Sequence, residues 1–400
     1  MRVLYITSSL PFGKGEAFVL PEMAELKALG HEVFLAPLWP RGKRMHHCAH
    51  IATEISGRTQ LPSVGALTKA LPAVRDLVLR GKGKNRLKNL LAAFRATQLA
   101  SIVNKFRIEH IHCHWAGCTA SMGMVLSALT GIPWSLTAHR WDIAANNCFS
   151  AKARSTSFVR FISENGLTMA KRLGIEGLSR AVVIHMGVSL SPERERPRPG
   201  RTENRVILCP ANLLPVKGHC DLLAAMQMLR DAGCECELHL AGDGPLRQQL
   251  ETQAEQLGLR SLVKFLGALK HAEVLEYYQQ RRAAVVVLPS RDLGSGLHEG
   301  IPVSLIEAMA YRVPVISTQT GAIHELITPR EGILVPQADP HALAEAIRTV
   351  LTCSSLGERF GRSGRERVEQ DFSVKKTALQ LAQMFQEHTA ERALSTAGHQ

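Results

Sequence analysis

Short apolar runs alternate with helical patterns along the chain, and this alternation constrains the fold more than any other feature. Six runs precede residue 190: RVLYITSS (2–9), HEVFLAPL (31–38), HIHCHW (110–115), PWSLTAH (133–139), FVRFISEN (158–165) and AVVIHMG (181–187). Six more follow residue 204: RVILCPAN (205–212), CELHLAGDG (236–244), VKFLG (263–267), AAVVVLPS (283–290), VPVIST (313–318) and GILVPQ (332–337). Continuous apolar strands between amphipathic helices are typical of parallel sheets covered on both faces.

The segment SPERERPRPGRTENR, residues 191–205, interrupts this alternation. It holds three prolines, one glycine and eight charged residues, a composition that cannot build a core. The chain of 400 residues also exceeds the ~250–300 residues at which single cores stop growing. We therefore predict an α/β protein of two doubly wound Rossmann-like domains facing across a cleft. Their boundaries are residues 1–190 and 205–373, with a linker at 191–204.

Cysteine usage and hydropathy indicate a cytoplasmic protein. The nine cysteines are odd in number and scattered, and several lie in apolar runs, which favours reduced thiols over a disulfide framework. The first residues read as a strand rather than a secretory signal. The least charged stretch, residues 121–138, is broken by Gly131 and Pro133 and is shorter than a membrane span of ~20 residues.

The net charge of +13 is concentrated in residues 75–107, which hold nine Lys or Arg against one Asp. Such a cluster favours polyanions, namely nucleic acid, an anionic membrane surface or phosphorylated small molecules. It is also compatible with a plain solvated helix. The segment lacks interleaved aromatic residues and the whole chain is only 5% aromatic, so we expect no nucleic-acid partner.

Three loops of the first half contain candidate functional residues. Gly13, Lys14 and Gly15 form a glycine loop before a predicted helix, which suits an anion but is also common turn punctuation. His139 leaves a strand and could exchange a hydrogen bond at a reaction centre, or be an ordinary loop histidine.

A metal site is the third possibility that the first half raises. His110, His112 and His114 share one face of a strand, while Cys113 points to the opposite face. No carboxylate or cysteine completes a ligand set there, so we predict no metal site.

The loops of the second half coincide at one edge of one predicted sheet, where doubly wound folds bind ligands. Lys217 and Gly218 precede a helix, which is the arrangement of a phosphate clamp. Gly242 leaves the next strand, where glycine lets backbone approach a ligand. Glu299 lies in the following loop, and Glu307 lies in a helix that Pro302 is expected to open. The two acids could grip two ends of one ligand, or merely complement the helix dipole.

These residues resemble a known family. NLLPVKGHCDLL, LHLAGDGP, VKFLG and EGIPVSLIEAMAYRVPVIST, within residues 206–350, resemble the retaining, nucleotide-sugar-dependent glycosyltransferases of GT-B fold, the "glycosyl transferases group 1" family. The first half resembles the family through HCHWAG, TAHRWD and MGVSL. PFGKGEAF resembles the subgroup that builds exopolysaccharides, including colanic-acid-type enzymes.

The resemblance implies a role for each candidate residue. Glu299 would hold hydroxyls of the donor sugar, Glu307 would bind the ribose, and Lys217 would neutralise the diphosphate. His139 would lie near the transferred sugar in the opposite domain. The other implied donor-binding residues are Asn212, Gly242, Gly300, Ile301, Pro302 and Val303. No cofactor or metal is expected, because cationic side chains and a helix dipole do the metal's work.

The implied reaction moves a hexose, with retention at its anomeric carbon, from a nucleotide sugar to a saccharide or lipid-linked acceptor. A UDP-sugar is the first choice of donor and GDP-mannose the second, and the pathway is cell-surface polysaccharide synthesis. The first domain would bind the acceptor, and a final helix at 374–390 would pack back on it. The enzyme would lie in the cytoplasm, peripherally on the inner face of the membrane through residues 75–107.

Two departures from the family pattern keep alternatives open. Asn212 stands where relatives often have an arginine, so Arg291 or Lys14 would have to supply that charge. GSGLHEG replaces an acidic DGxxEG motif, which leaves the donor sugar open. The alternatives are a nucleotide-sugar epimerase or phosphorylase of the same fold, and a non-catalytic basic protein that binds membranes or nucleic acid.

Overall fold

A computed structural model describes residues 1–12, 16–46, 48–55, 63–190, 205–294 and 296–397, with side chains up to residue 389. The predicted glycine loop, Gly13 to Gly15, and the predicted linker, residues 191–204, lie outside the described residues. The chain divides into two compact units. The first comprises Met1–Gly187 and Val374–Gln400, and the second comprises Val188–Ser373.

The first unit is built on a seven-stranded parallel sheet. Its described strands are β1 (Arg2–Thr7), β2 (Glu32–Pro37), β3 (Thr53–Glu54), β4 (His110–His114), β5 (Trp134–Ala138), β6 (Phe158–Phe161) and β7 (Ala181–Val183). Their order is β3-β2-β1-β4-β5-β6-β7. The described helices are α1 (Leu20–Ala28), α2 (Val64–Leu79), α3 (Lys84–Lys105), α4 (Cys118–Thr130), α5 (Arg140–Ala145), α6 (Phe149–Ser155) and α7 (Glu164–Arg172), with short 3-10 helices at Ala17–Val19 and Leu178–Arg180.

The second unit repeats this architecture with six parallel strands. They are β8 (Val206–Cys209), β9 (Glu237–Ala241), β10 (Val263–Gly267), β11 (Val285–Leu288), β12 (Val315–Thr318) and β13 (Gly332–Val335), in the order β10-β9-β8-β11-β12-β13. Its helices are α8 (His219–Asp231), α9 (Arg247–Gln256), α10 (His271–Gln279), α11 (Val303–Ala310), α12 (Pro340–Thr352) and α13 (Ser354–Asp371), with 3-10 helices at Pro215–Lys217 and Ile323–Glu325. The predicted fold class, two doubly wound parallel α/β domains, is confirmed.

The last helix, α14 (Val374–Ala397), belongs to the first unit. Its residues Ala378, Leu381 and Phe385 are fully buried in one cluster with Val3 and Met23. Helix α14 therefore completes part of the core of the first unit. The chain leaves it at Gly187, three residues before the predicted position 190, because Val188 N already bonds to Phe372 O at 2.8 Å in the second unit.

Strand positions agree with the apolar runs, and strand ends differ in a consistent way. The predicted run 158–165 yields only Phe158–Phe161, and 205–212 yields Val206–Cys209. The residues beyond each strand turn into the loops at the carboxyl edge of the sheet. β3 escaped prediction, since two half-exposed polar residues carry no apolar signal.

Candidate active site

Tight glycine packing draws together the loops at the carboxyl edge of the second sheet. Gly218 has a φ of +67°, and a Cβ there would lie 1.9 Å from the carbonyl oxygen of Pro289, just after β11. A Cβ on Gly242 would lie 1.9 Å from the carbonyl oxygen of Ala211, after β8. Since only glycine fits such close approaches, these positions bring the loops after β8, β9 and β11 into mutual contact.

Two predicted catalytic residues meet at this edge. Lys217 Nζ lies 2.8 Å from Glu299 Oε1, and their side chains are 19% and 14% exposed. Glu299 is fixed from behind, because its backbone carbonyl packs against Gly321 and accepts a hydrogen bond from the ring of His298 at 2.8 Å. The site thus presents a positive and a negative charge side by side, both within reach of solvent.

Glu307 faces a partner that sequence reasoning missed. His271 Nε2, at the start of α10, lies 2.6 Å from Glu307 Oε1. This hydrogen bond raises the pKa of His271 above its ordinary value, and burial opposes the rise. Two positions far apart in sequence form this pair, and no motif marks His271. Only its position at the start of the helix after β10 could have pointed to His271.

The turn before α11 differs slightly from the prediction. Pro302 is the N-cap of α11 rather than a residue of its first turn, and the helix begins at Val303. Gly300 faces open space, since a Cβ there would touch nothing within 4 Å. Ile301 and Val303 are half-buried against the core of the second unit. Backbone N–H groups at the start of α11 therefore follow directly after Glu299.

Arg291, a candidate to supply the charge of the missing arginine, already pairs with Asp221. Arg291 Nε donates to Asp221 Oδ2 at 2.6 Å, and its second guanidinium nitrogen contacts the other carboxylate oxygen. Asp221 raises the pKa of Arg291 further. Asn212 itself is exposed at the exit of β8. Among the described residues, Lys217 is therefore the cation that stands beside Glu299.

In the first unit, His139 follows β5 and is buried to 8% exposure. Its Nε2 lies 2.8 Å from Nε2 of His114, the last residue of β4, at the same edge of the sheet. Burial lowers the pKa of His139 to about 3 and that of His114 well below 6.5. Because a neutral imidazole carries one N–H, one ring donates and the other accepts. His139 thus points its Nε2 inward, and sequence reasoning missed this partner.

Two of the three strand histidines, His110 and His112, are linked through hydroxyl groups on β5, whereas His114 pairs with His139. His110 Nε2 and His112 Nδ1 both lie 2.8 Å from Ser135 Oγ, and His112 Nε2 lies 2.9 Å from Thr137 Oγ1. Burial lowers the pKa of His110 to about 3. The Ser135 and Thr137 hydroxyls on β5 are therefore the hydrogen-bond partners of these ring nitrogens of His110 and His112. Among the described residues no group of three or more His, Cys, Asp or Glu could hold a metal ion.

Trp115 and Glu16 organise the first loops of this unit. Trp115 has a φ of +89°, a conformation that costs a bulky residue energy, and its indole Nε1 donates to Glu16 Oε1 at 2.7 Å. The Glu16 carboxylate also accepts from the backbone N–H of Ser8, Ser9 and Leu10 at 2.6 to 3.0 Å. The helix predicted after the glycine loop begins here as the 3-10 turn Ala17–Val19, with Glu16 at its N-cap.

Two doubly wound parallel α/β units, with charged loops at the carboxyl edge of one sheet and buried histidines at that of the other, define a protein of GT-B fold. Solved structures share this fold. Sucrose-phosphate synthase from Thermosynechococcus elongatus has a TM-score of 0.73 and 21% identity, covering 98% of this chain and all of its own. Anabaena Alr3699/HepE, solved in complex with UDP, has a TM-score of 0.71 and 20% identity, covering 97% of this chain and all of its own.

Residues 192–367 match the family model described as "Glycosyl transferases group 1". The chain is 28% identical to WcaL of Escherichia coli K12, which is named as a colanic acid biosynthesis glycosyltransferase. The match covers 96% of this chain and 100% of that protein. It is 26% identical to the amylovoran biosynthesis glycosyltransferase AmsK of Erwinia amylovora, over 96% and 99%. A GDP-mannose-dependent mannosyltransferase of Corynebacterium glutamicum is 30% identical over 45% of this chain and 47% of its own. The chain thus carries a Glycosyl transferases group 1 domain, and its fold is that of the GT-B glycosyltransferases.

Proposed function

We propose that this protein is a retaining hexosyltransferase. It moves a sugar from a nucleotide sugar, bound by the second unit, to a saccharide or lipid-linked acceptor, bound by the first unit, during cell-surface polysaccharide synthesis. The observation that carries the proposal is the ion pair of Lys217 and Glu299, 2.8 Å apart at the carboxyl edge of the second sheet. This is where open α/β sheets bind ligands.

The ion pair suggests how donor binding begins. In the ligand-free protein Lys217 and Glu299 neutralise one another. A diphosphate carries more charge than one carboxylate, so it attracts Lys217 and leaves Glu299 to accept hydrogen bonds from sugar hydroxyls. Glu307 accepts from the ribose, while His271 holds its other side. The backbone N–H groups at the start of α11 complete the cradle for the diphosphate.

Bond breaking places negative charge on the leaving diphosphate and positive charge on the anomeric carbon. Lys217 and the start of α11 stabilise the diphosphate. The acceptor hydroxyl oxygen bonds to the anomeric carbon on the face that the diphosphate leaves, and the hydroxyl proton passes to the departing phosphate oxygen. This front-face route retains the configuration and uses no enzymic nucleophile. With these cationic groups in place, we propose that transfer needs no metal.

Names of similar proteins support the choice of donors. A fold neighbour was solved with UDP, and UDP-sugars are therefore our first choice. One relative depends on GDP-mannose, which is our second choice. Two relatives that align over nearly the whole chain are assigned to exopolysaccharide synthesis, and this supports the same pathway here.

The outer surface of α2 and α3 supports a peripheral position on the membrane. Large apolar side chains point outward there: Val64 (78% exposed), Leu71 (61%), Leu79 (67%), Leu87 (64%) and Phe94 (57%). The inward face of α3 is lined instead by small residues such as Ala92, Ala93 and Ala96. Several large apolar side chains turned outward on two successive helices indicate an apolar contact surface.

The basic segment, residues 75–107, overlaps this surface, and cations beside exposed leucines suit anionic lipids. We name the surface formed by α2 and α3 the basic-apolar face. Among the described residues no helix combines the length and apolar character that a membrane crossing requires. A peripheral attachment through the basic-apolar face is therefore our proposal.

A nucleotide-sugar screen tests the transferase proposal. UDP-, GDP- and ADP-sugars are added to the protein and its thermal unfolding is recorded, because a ligand that binds the native state stabilises it by about 2.7 kcal/mol at a concentration of 100 Kd. We expect one nucleotide class to raise the midpoint in wild type, to lose that effect in Lys217→Ala, and to keep it in Lys264→Ala. Lys264 is a matched control, since its Nζ pairs with Glu237 at 2.6 Å in the same unit.

The products of the responding donor complete the test. Proton NMR of the transferred sugar should show the anomeric configuration of the donor, and a chelator should leave the rate unchanged. Inversion would contradict the front-face route, and inactivation by the chelator would contradict metal independence. A chain that responds to no nucleotide sugar would favour the non-catalytic basic binding protein.

A further inference from the structure

Lys152 is a buried cation that the proposed reaction does not use. It lies in α6, and its side chain is fully buried. Burial lowers the pKa of its ammonium group to about 8, so at neutral pH the buried group still carries its charge. Lysine is rarely buried completely unless partners hold it. Here the Nζ atom donates to the carbonyl oxygens of Ala116 and Gly117, at 3.0 and 2.7 Å.

The carboxylate of Asp142 holds the same two loop residues through their other backbone groups. It accepts hydrogen bonds from the N–H groups of Ala116 and Gly117. Its Oδ2 also accepts from His139 N at 3.2 Å, which ties the loop after β4 to the end of β5. A cation therefore holds the two carbonyls while an anion holds the two N–H groups. We name this arrangement of Lys152 and Asp142 the loop clamp.

The clamped loop begins with a strained residue. Trp115 has a φ of +89°, and its backbone N–H donates to Thr137 O on β5 at 3.1 Å. A bulky residue keeps such a conformation only where its surroundings hold it there, and strained residues of this kind cluster at functional sites. Ala116, which follows directly, is buried. The loop clamp therefore holds the stretch that immediately follows His114.

The ring pair of His114 and His139 depends on the same stretch. Both rings are buried and neutral, and their Nε2 atoms lie 2.8 Å apart. A displacement of about 1 Å would break this hydrogen bond. His114 lies at the start of the clamped loop, and the backbone of His139 is bonded to Asp142. The loop clamp thus reaches both rings through the backbone.

Given the transferase activity proposed above, we propose that Lys152 is a positioning residue for the reaction. Through the carbonyls of Ala116 and Gly117 it fixes the loop after β4. Through this loop and Asp142 it keeps His139, the histidine expected near the transferred sugar, paired with His114. Lys152 itself touches no substrate. Its removal should therefore slow the reaction and leave donor binding by the second unit unchanged.

NMR of the full chain labelled with nitrogen-15 histidine tests the loop clamp without a ligand. The ring N–H shared by His114 and His139 should give a low-field, slowly exchanging resonance, which is assigned by its loss in His139→Gln. Lys152→Met keeps the length of the side chain and removes its charge and its donors. In this variant we expect the resonance to be lost or displaced. The ring signals of His110, which is bonded to Ser135, should keep their positions.

Turnover of the donor tests the link between the loop clamp and the reaction. The substrate is the nucleotide sugar that raises the unfolding midpoint of wild type, with water as the acceptor, and release of the nucleotide measures the slow hydrolysis. Lys152→Met should lower kcat about tenfold or more, because a small misplacement in a reaction centre can cost about 100-fold. The KM for the donor should stay within about twofold of wild type, since uniform donor binding is not affected.

Leu26→Ala separates positioning from a general loss of stability. Leu26 is fully buried in the first unit, in a different hydrophobic cluster from Ala116. This variant should change neither the shared ring signal nor kcat. If Lys152→Met does not fold, Lys152→Gln replaces it. Because Gln keeps an amide donor for the carbonyls, its effects should have the same direction and a smaller size.

Three results would overturn the proposal. The shared ring signal could persist unchanged in the Lys152 variant, it could be lost while kcat stays at the wild-type value, or Leu26→Ala could have the same effects. A wild-type chain that turns over no nucleotide sugar would instead overturn the transferase proposal, and the loop clamp would then be judged by the ring signals alone.

Discussion

The two units place very different chemistry at the same edge of the same kind of sheet. In the second unit the loops carry the ion pair of Lys217 with Glu299, and His271 in contact with the carboxylate of Glu307. In the first unit the corresponding edge carries the neutral pair of His114 and His139 beside Trp115. A diphosphate donor requires charge, whereas an acceptor hydroxyl requires neutral hydrogen bonding and apolar contact. In the proposed function, the same scaffold would thus serve a donor and an acceptor through the different polarity of its loops.

The largest expected effect comes from removing either charge of the Lys217–Glu299 pair in the second unit. Lys217→Ala and Glu299→Ala should each lower the transfer rate by ~10²–10³-fold, the usual cost of losing one preorganised charge or donor in a reaction centre. Release of nucleotide from the donor measures the rate. Glu237→Ala is the matched control, because its carboxylate pairs with Lys264 on the same sheet. Near wild-type transfer in either site variant would show that the charge contrast is unrelated to catalysis.

The neutral histidines of the first unit should make the fold sensitive to acid. The folded pKa of His110 is lowered to about 3, so between that value and its ordinary 6.5 the unfolded chain binds the extra proton. This contribution is present above pH 6.5 and lost as the pH falls. Its loss should reach about 3 kcal/mol of unfolding free energy between pH 7.5 and 4.5. Denaturant titrations of wild type and His110→Gln measure it.

His110→Gln keeps an amide for Ser135 but cannot take up the proton, so its stability should depend less on pH. His341→Gln, on the exposed surface of α12, is the control and should behave as wild type. Equal acid sensitivity in wild type and His110→Gln would mean that His110 is not held neutral.

Binding to lipid should depend on charges of the first unit, because the basic segment, residues 75–107, lies there. Lys82→Gln combined with Lys84→Gln should weaken binding to phosphatidylglycerol vesicles about 30-fold, because each cation near an anionic surface contributes about 1 kcal/mol. Co-sedimentation measures the partition. A double variant at Lys171 and Lys375 removes the same charge elsewhere in the first unit and should bind normally. Equal losses in both would reduce the effect to net charge.

The smallest expected effect concerns the His271–Glu307 pair. Glu307 raises the pKa of His271, so the pair stabilises the fold fully below pH 6.5 and less as the pH rises through the raised value. In Glu307→Gln the pKa of His271 should return towards 6.5, as NMR titration of its ring protons will show. Glu255→Gln, which pairs with Arg260 instead, should leave it unchanged. A raised pKa that persists in Glu307→Gln would remove the proposed pair.

Sequence periodicity was sufficient for every described strand except β3, because a strand buried on both faces needs a continuous apolar run. It also located Lys217 and Glu299, since loops after parallel strands share one edge. Their 2.8 Å contact was not predictable, as it depends on the close packing around Gly218 and Gly321. His271 carried no signal of its own.

The inward orientation of His139 also escaped prediction. It follows from a partner 25 positions away on a neighbouring strand, and a strand exit does not reveal which ring nitrogen faces the protein. The outward leucines of α3 were hidden for a related reason. In a helix with several leucines the sequence does not show which of them the core accepts: Leu99 is buried, whereas Leu87 is exposed.

The chain passes between its units twice, at Gly187–Val188 and again at Ser373–Val374. The second unit is therefore a continuous insert within the first, and the first lacks part of its core until α14 has been synthesised. During translation the insert can fold while its host is still incomplete. The same connectivity offers a route to hybrid enzymes, in which residues 188–373 are exchanged as one cassette through two adjacent junctions, and the cover that α14 gives to β1 and α1 is kept.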